Sequence, residues 1–179
     1  MFVKVCGITR EEDIDTAIEL GYSAIGVVLY PKSPRYIGLE KSIKLANYAK
    51  GKIKTVAVAI NFSEVTAVEK YFDHIQISEF IEMEKLILAI EDEPAYHAKI
   101  FILDRSKGKG KFVNIPDWVD KIKDKLILAG GLTPENVFEL VKRYKPFGVD
   151  VSSGVESTYG IKDRLLMKKF MNEIKRGMI

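Results

Sequence analysis

The chain has 179 residues, with 28 Lys and Arg against 25 Asp and Glu for a formal net charge of +3, and 47% of it is hydrophobic against 30% charged. That size and balance predict one globular domain spanning residues 1–179, exclude a wholly disordered chain or a collagen-like repeat, and give no argument for a nucleic-acid partner. A (β/α)8 barrel typically takes about 250 residues and rarely fewer than about 200, so length alone argues against that architecture.

The first apolar run is Phe2 to Cys6. Its early Lys4, and the lack of a small-residue cleavage site after a long apolar core, predict no signal peptide. Cys6 is the only cysteine, which excludes an intrachain disulfide and a structural zinc cluster. With no apolar stretch near the ~20 residues a membrane helix needs, a cytoplasmic protein with no membrane contact is expected. Thr9 and Glu12 have capping-box spacing, Ile14, Ala17 and Ile18 share a helical face, and Gly21 ends that segment.

Further short apolar runs follow: Ala24 to Tyr30, Thr55 to Ile60, His74 to Ile77, Leu86 to Ile90, Ile100 to Leu103, Leu126 to Ala129 and Phe147 to Val151. Runs this continuous and this rich in Val and Ile read as strands buried on both faces, the pattern of a parallel sheet covered by helices. There are eight. Ser63 opens a helical segment with Val65, Val68, Tyr71 and Phe72 on one side. Thr133-Pro134 predicts another helix start, with Val137, Leu140, Val141 and Tyr144 as its apolar stripe. The last helical segment runs from Ile161 to Arg176 and presents Leu165, Leu166, Phe170 and Ile174. Only Ser78 to Lys85 and Glu91 to Lys99 are meagre, with room for about two turns each, so helices four and five are expected to be abbreviated.

What each run ends on points to chemistry. Cys6-Gly7, Asn61, Asp104, Gly130-Gly131 and Ser152-Ser153-Gly154 all stand at strand ends. In a closed parallel barrel those ends meet on one face, where such folds place their active sites; in an open doubly wound sheet only those at the switch point would meet. Asp104 emerges directly from a buried strand, either as the opening of a loop turn or as a general acid whose proton affinity is raised by partial burial. Cys6 is either an inert small hydrophobe or a thiol activated by Gly7 and the nearby helix start, which would lower its pKa. The glycine and serine pairs ending runs seven and eight make tight turns or offer backbone N–H groups and hydroxyls to a phosphate, and their occurrence at both strands favours phosphate. No P-loop and no Gly-x-Gly-x-x-Gly follows a strand, which disfavours nucleotide hydrolysis and dinucleotide binding. The basic loop Arg105 to Phe112 could cover an anionic substrate or simply be solvated, and the same choice applies to Arg35 in Pro31 to Tyr36, whose planar fork suits a carboxylate. His74 and His97 have no spacing that suggests a metal pair or a triad. Lys121, Lys123 and Lys125 read as an exposed edge.

Four segments in order, Lys4-Val5-Cys6-Gly7-Ile8-Thr9, Tyr30-Pro31-Lys32-Ser33-Pro34-Arg35-Tyr36-Ile37, Ala129-Gly130-Gly131-Leu132-Thr133-Pro134-Glu135-Asn136-Val137 and Val149-Asp150-Val151-Ser152-Ser153-Gly154-Val155-Glu156, resemble the phosphoribosylanthranilate isomerases of tryptophan biosynthesis. The resemblance implies a compact (β/α)8 (TIM) barrel and an Amadori rearrangement of a phosphorylated aminoaldose to an aminoketose, without metal or cofactor. Position by position it implies that Asp104 is the general acid at the ribose ring oxygen and Cys6 the general base at C2. It places Arg35 against the anthranilate carboxylate, and Gly130, Gly131, Ser153 and Gly154 around the phosphate, with Asp150 nearby. Three departures stand out. Gln76-Ile77-Ser78-Glu79 replaces the family's Gln-Leu-His-Gly, Phe112 is separated from Asp117-Trp118, and the crossovers after runs four and five are short. Two rival readings remain: a barrel isomerase of the histidine pathway, which would rely on a carboxylate where Cys6 stands, and a phosphate-binding barrel without turnover. The sequence carries no sign of the oligomeric state.

Overall fold

The computed structural model describes residues 1–104 and 115–178. Eight strands, β1 (Phe2–Cys6), β2 (Ala24–Val28), β3 (Lys54–Val58), β4 (His74–Ile77), β5 (Leu86–Ile90), β6 (Ile100–Asp104), β7 (Leu126–Ala129) and β8 (Gly148–Val151), pair in parallel and in chain order, and β8 returns to β1 to close a barrel. Closure removes both sheet edges. The 179 residues therefore do form the (β/α)8 barrel that length argued against, as the eight runs and the resemblance implied.

Alternation along each strand sorts side chains into two cores. Outward-facing residues such as Val3 and Val5 join the large core beneath the outer layer. Inward-facing Ala24, Val56, Ile87, Ile102 and Ile127 fill the lumen with Phe2, and the Phe2 ring stacks on Phe147 with 5.6 Å between centroids. Lys4 and Cys6 fall on the lumen side of β1 by the same alternation.

The outer layer is uneven. Among the described residues the α-helices are α1 (Glu11–Leu20), α2 (Leu39–Ala49), α3 (Val137–Tyr144) and α4 (Arg164–Gly177), and they cover the half of the barrel built around β8, β1 and β2. Between β3 and β4 there are only two single 3-10 turns, and no helix lies between β4 and β5 or between β5 and β6. The expected short fourth and fifth helices are thus absent, and so is the one expected from Ser63. The reason is reach. A strand of four or five residues is about 13–17 Å long, whereas eight helical residues rise only about 12 Å before any turn is added. A segment that short must return extended, and Ile81, Met83 and Ala98 then cover the core in place of a helical stripe.

Helix starts also differ from expectation. The Thr9 hydroxyl donates to the Gly160 carbonyl at 2.5 Å instead of capping α1, which begins behind Arg10. Pro134 sits in a turn and α3 begins after Asn136, whose side-chain oxygen accepts from Thr133 N at 2.9 Å. A two-stranded antiparallel ribbon, β9 (Glu156–Thr158) and β10 (Ile161–Lys162), takes up the residues expected to start the last helix. Within α4, Met167, Phe170, Met171 and Ile174 are buried while Leu165 is 69% exposed.

The Asp163 carboxylate caps α4, accepting from Leu165 N at 2.8 Å and Leu166 N at 2.9 Å. Asp163→Ala is expected to cost about 1 kcal/mol of stability, read as a lower urea midpoint with an unchanged slope.

Candidate active site

Because all eight strands are parallel, their C-terminal ends share one mouth. Cys6 closes β1 there, Asp104 closes β6, Gly130-Gly131 follow β7, and Ser152 to Gly154 follow β8. The sequence-predicted residues are brought to the same rim, as a closed barrel requires.

The mouth is organised around a carboxylate that sequence reasoning did not single out. Glu156 accepts from Arg35 Nε at 2.7 Å and Arg35 Nη2 at 2.6 Å, and from Lys162 Nζ at 2.8 Å. Its side chain is only 5% exposed. Burial alone would raise its pKa, but the Arg35 hydrogen bonds and the Lys162 charge hold it below the usual carboxylate range. Arg35 is therefore neither a solvated turn residue nor an unattached fork. It folds across Gly7, where a Cβ would stand 2.3 Å from Arg35 Cδ, so that only glycine fits. Lys162 also reaches the Ser152 carbonyl at 3.3 Å, and its own backbone N–H donates to Asp13 in α1 at 3.1 Å. The loops after β1, β2 and β8 are thereby tied together. One signal was present in the sequence, since Glu156 ends the motif after β8; Lys162 is brought to it only by the register of β10 on β9.

Cys6 is buried, and its sulfur lies over Gly26, where an added Cβ would come within 2.9 Å of it. The expected lowering of the thiol is not found. Burial is the largest influence and pushes Cys6 up, opposed by the charges of Lys4 and Lys162. Asp150, expected beside the phosphate, faces the lumen as the register partner of Lys4, and its Oδ1 lies 2.8 Å from Lys4 Nζ. A carboxylate there suits a cation, not a phosphate. Asp104 is exposed rather than partly buried, and its charge acts on Asp150 across the mouth. The basic loop from Arg105 to Phe112 lies outside the described residues.

Along the same rim, the loops after β7 and β8 meet backbone to backbone. A Cβ on Gly154 would sit 1.9 Å from the Leu132 carbonyl oxygen, which forces glycine at that contact. Asn136 Nδ2 donates to Gly131 O at 2.8 Å and fixes the loop after β7. In the fourth loop, where the His is replaced, Glu79 accepts from Phe62 N at 3.0 Å and braces the loop after β3.

A family profile described as N-(5'phosphoribosyl)anthranilate (PRA) isomerase matches residues 3–173. The N-(5'-phosphoribosyl)anthranilate isomerase of Legionella pneumophila (strain Lens) is 34% identical over 198 positions covering 96% of each chain. That alignment is longer than the 179-residue chain, so internal gaps account for the shortness. Among solved structures, a phosphoribosyl anthranilate isomerase in complex with reduced 1-(o-carboxyphenylamino)-1-deoxyribulose 5-phosphate superposes with a TM-score of 0.81 at 31% identity, over 98% of both chains. The Thermus thermophilus phosphoribosyl anthranilate isomerase superposes at 0.84 and 28% identity, also over 98% of both chains.

The Glu156 cluster has a pH signature. A carboxylate whose folded-state pKa is depressed contributes stability that is complete above the unfolded value of about 4.3 and is lost as pH falls through the folded value. Glu156→Gln is expected to lower the urea midpoint at pH 7, and the gap from wild type should close as pH drops below about 4.

Proposed function

The chain belongs to the N-(5'-phosphoribosyl)anthranilate isomerase family, and on that premise we propose how the residues of its barrel mouth divide the work. The protein is an isomerase of tryptophan biosynthesis, converting N-(5-phosphoribosyl)anthranilate to 1-(o-carboxyphenylamino)-1-deoxyribulose 5-phosphate. The observation that carries the residue assignment is the meeting of Cys6 and Asp104 at one rim, which also carries the Arg35 guanidinium after β2 and the glycine-lined contact after β7 and β8.

Asp104 is the general acid. Its carboxyl proton goes to the ribose ring oxygen, the bond from C1 to that oxygen breaks, and the anilino nitrogen's lone pair forms the C1=N bond of a protonated Schiff base. Cys6 is the general base: its thiolate takes the proton from C2, the C–H electron pair becomes a C1=C2 bond, and the C=N pair returns to nitrogen. The resulting enolamine becomes the ketone as C1 gains a proton and the C2 hydroxyl loses one. An exposed Asp104 suits the acid that meets the sugar ring first, and a buried Cys6 suits a base, because a thiol with a raised pKa has a thiolate that holds a proton well.

Arg35 faces the anthranilate carboxylate with the Nη1 edge that Glu156 leaves over, so the carboxylate meets a guanidinium already fixed in place. The backbones of Gly130, Gly131, Ser153 and Gly154 hold the phosphate, supported by the close contact between Gly154 and Leu132. Both the acid and the base come from the chain itself, in one barrel domain whose partner is a small phosphorylated molecule and not a nucleic acid. A cytoplasmic setting fits a buried free thiol; no described helix is long and apolar enough to cross a membrane.

Phosphoribosylanthranilate consumption by purified protein tests this division. Cys6→Ser and Asp104→Asn are each expected to lose at least about 10²-fold in kcat while still binding product, and a chelator is expected to leave wild-type turnover unchanged. Near-wild-type turnover in Asp104→Asn would overturn the acid assignment, and a wild type without turnover would favour a phosphate-binding barrel. Gly154→Ala is expected to raise KM, since its Cβ must push apart the two loops that hold the phosphate.

A further inference from the structure

The deepest polar side chain in the barrel is one the mechanism above does not use. Lys4 stands mid-strand in β1 on the lumen side and is 0% exposed. Its register partners are Ala24 on β2 and Asp150 on β8. Nothing in the packing calls for an ammonium there. The neighbouring lumen layer is filled by Ala24, Val56, Ile87, Ile102 and Ile127, and a buried ion pair is often no more stabilising than apolar side chains of similar volume. A lysine retained at that depth therefore points to a task.

The geometry supplies one. Lys4 Nζ lies 2.8 Å from Asp150 Oδ1, and the Cys6 sulfur stands two residues along the same strand face. Both groups border Gly26, the register partner of Cys6: a Cβ there would stand 2.9 Å from Cys6 Sγ and 3.2 Å from Lys4 Nζ. The ammonium and the sulfur share the space that this glycine leaves open.

We propose that Lys4 is a positioning residue for Cys6: Asp150 anchors its ammonium in the lumen, and the ammonium holds the sulfur toward the mouth and stabilises it as the thiolate that accepts the C2 proton. This rests on the reading of Cys6 as the base. The ammonium stays charged through the cycle and donates no proton. When the thiolate takes up the substrate's proton, Lys4 keeps Asp150 as its counter-ion, so no unpaired charge is left in the lumen. The other charged groups that act on the sulfur are Lys162 and Arg35 from the loops after β8 and β2, both engaged by Glu156, and Asp150 itself, which opposes the thiolate. Lys4 is the one of these cations on the same strand face as the thiol and beside Gly26, and its effect on the sulfur exceeds that of Lys162.

Because Cys6 is the only cysteine, the thiolate's ultraviolet absorbance, taken as a difference against Cys6→Ser, titrates this one group without reference to activity. Lys4→Met is the test variant, and Lys4→Met/Asp150→Asn, compared with Asp150→Asn, serves if the unpaired carboxylate prevents folding. The expected result is a Cys6 titration moved to higher pH. The ascending limb of the kcat/KM profile should move with it, kcat at pH 7 falling about tenfold per unit moved, with KM little changed. An unchanged Cys6 titration would overturn the proposal. So would a moved titration that the rate profile does not follow, and wild-type turnover in Cys6→Ser would then show that the reading of Cys6 as the base had failed.

Discussion

The upper half of the barrel depends on one anion held between two cations. Glu156 is taken from water and compensated by Arg35 from the loop after β2 and Lys162 from β10, and it also accepts from Gly160 N at 3.2 Å. Without those partners a carboxylate 5% exposed would be a heavy cost. With them, three connections that are far apart in sequence become a single rigid rim. Arg10 extends the same structure outward, donating to Asp13 at 2.8 Å while Asp13 receives the Lys162 backbone N–H. Arg35 is consequently presented in a fixed orientation before any substrate arrives, which is where an electrostatic contact is most effective.

Beneath the rim, the polar lumen is narrow and deliberate. Most of the barrel interior is aliphatic, and polar character is concentrated where Lys4, Cys6 and Asp150 stand side by side on β1 and β8. Those two strands are the pair that closes the barrel. The strands carrying Lys4, Cys6 and Asp150 are also those with helices on their outside, where α4 packs against both α1 and α3. The half built from β3 to β5 is wrapped by turns and extended chain, and contributes walls more than reacting groups.

Much of this was legible in the sequence. The eight strands were visible because a strand buried on both faces has few alternatives to a continuous run of Val, Ile and Leu, as in Leu126 to Ala129. The rim residues were visible because each stands directly after such a run. What was hidden depended on contacts between distant segments. Thr9 and Glu12 carry a capping pattern, but the Thr9 hydroxyl is claimed by Gly160, 151 residues away. Arg35 looks solvated until Glu156 is placed beside it, and the direction in which Cys6 shifts is set by its burial, which spacing does not report. Leu165 was read into the apolar stripe of the last helix, yet the face that packs is that of Met167, Phe170, Met171 and Ile174. The missing helices were only half legible: the short segments showed that something was reduced, and the distance to be recrossed decides that nothing helical remains.

The closure of β8 onto β1 also sets an order of events. Cys6 is made long before its neighbours Asp150, Ser152 and Lys162, and the hydrogen bond from Ser152 Oγ to the Cys6 carbonyl at 3.0 Å spans 146 residues. Contacts of such separation form late, because most of the loop-closure entropy must be spent first. A nascent chain on the ribosome therefore carries its thiol without these neighbours until β8 and the segment after it have been made, and the reactive centre comes into being only with the closing of the sheet.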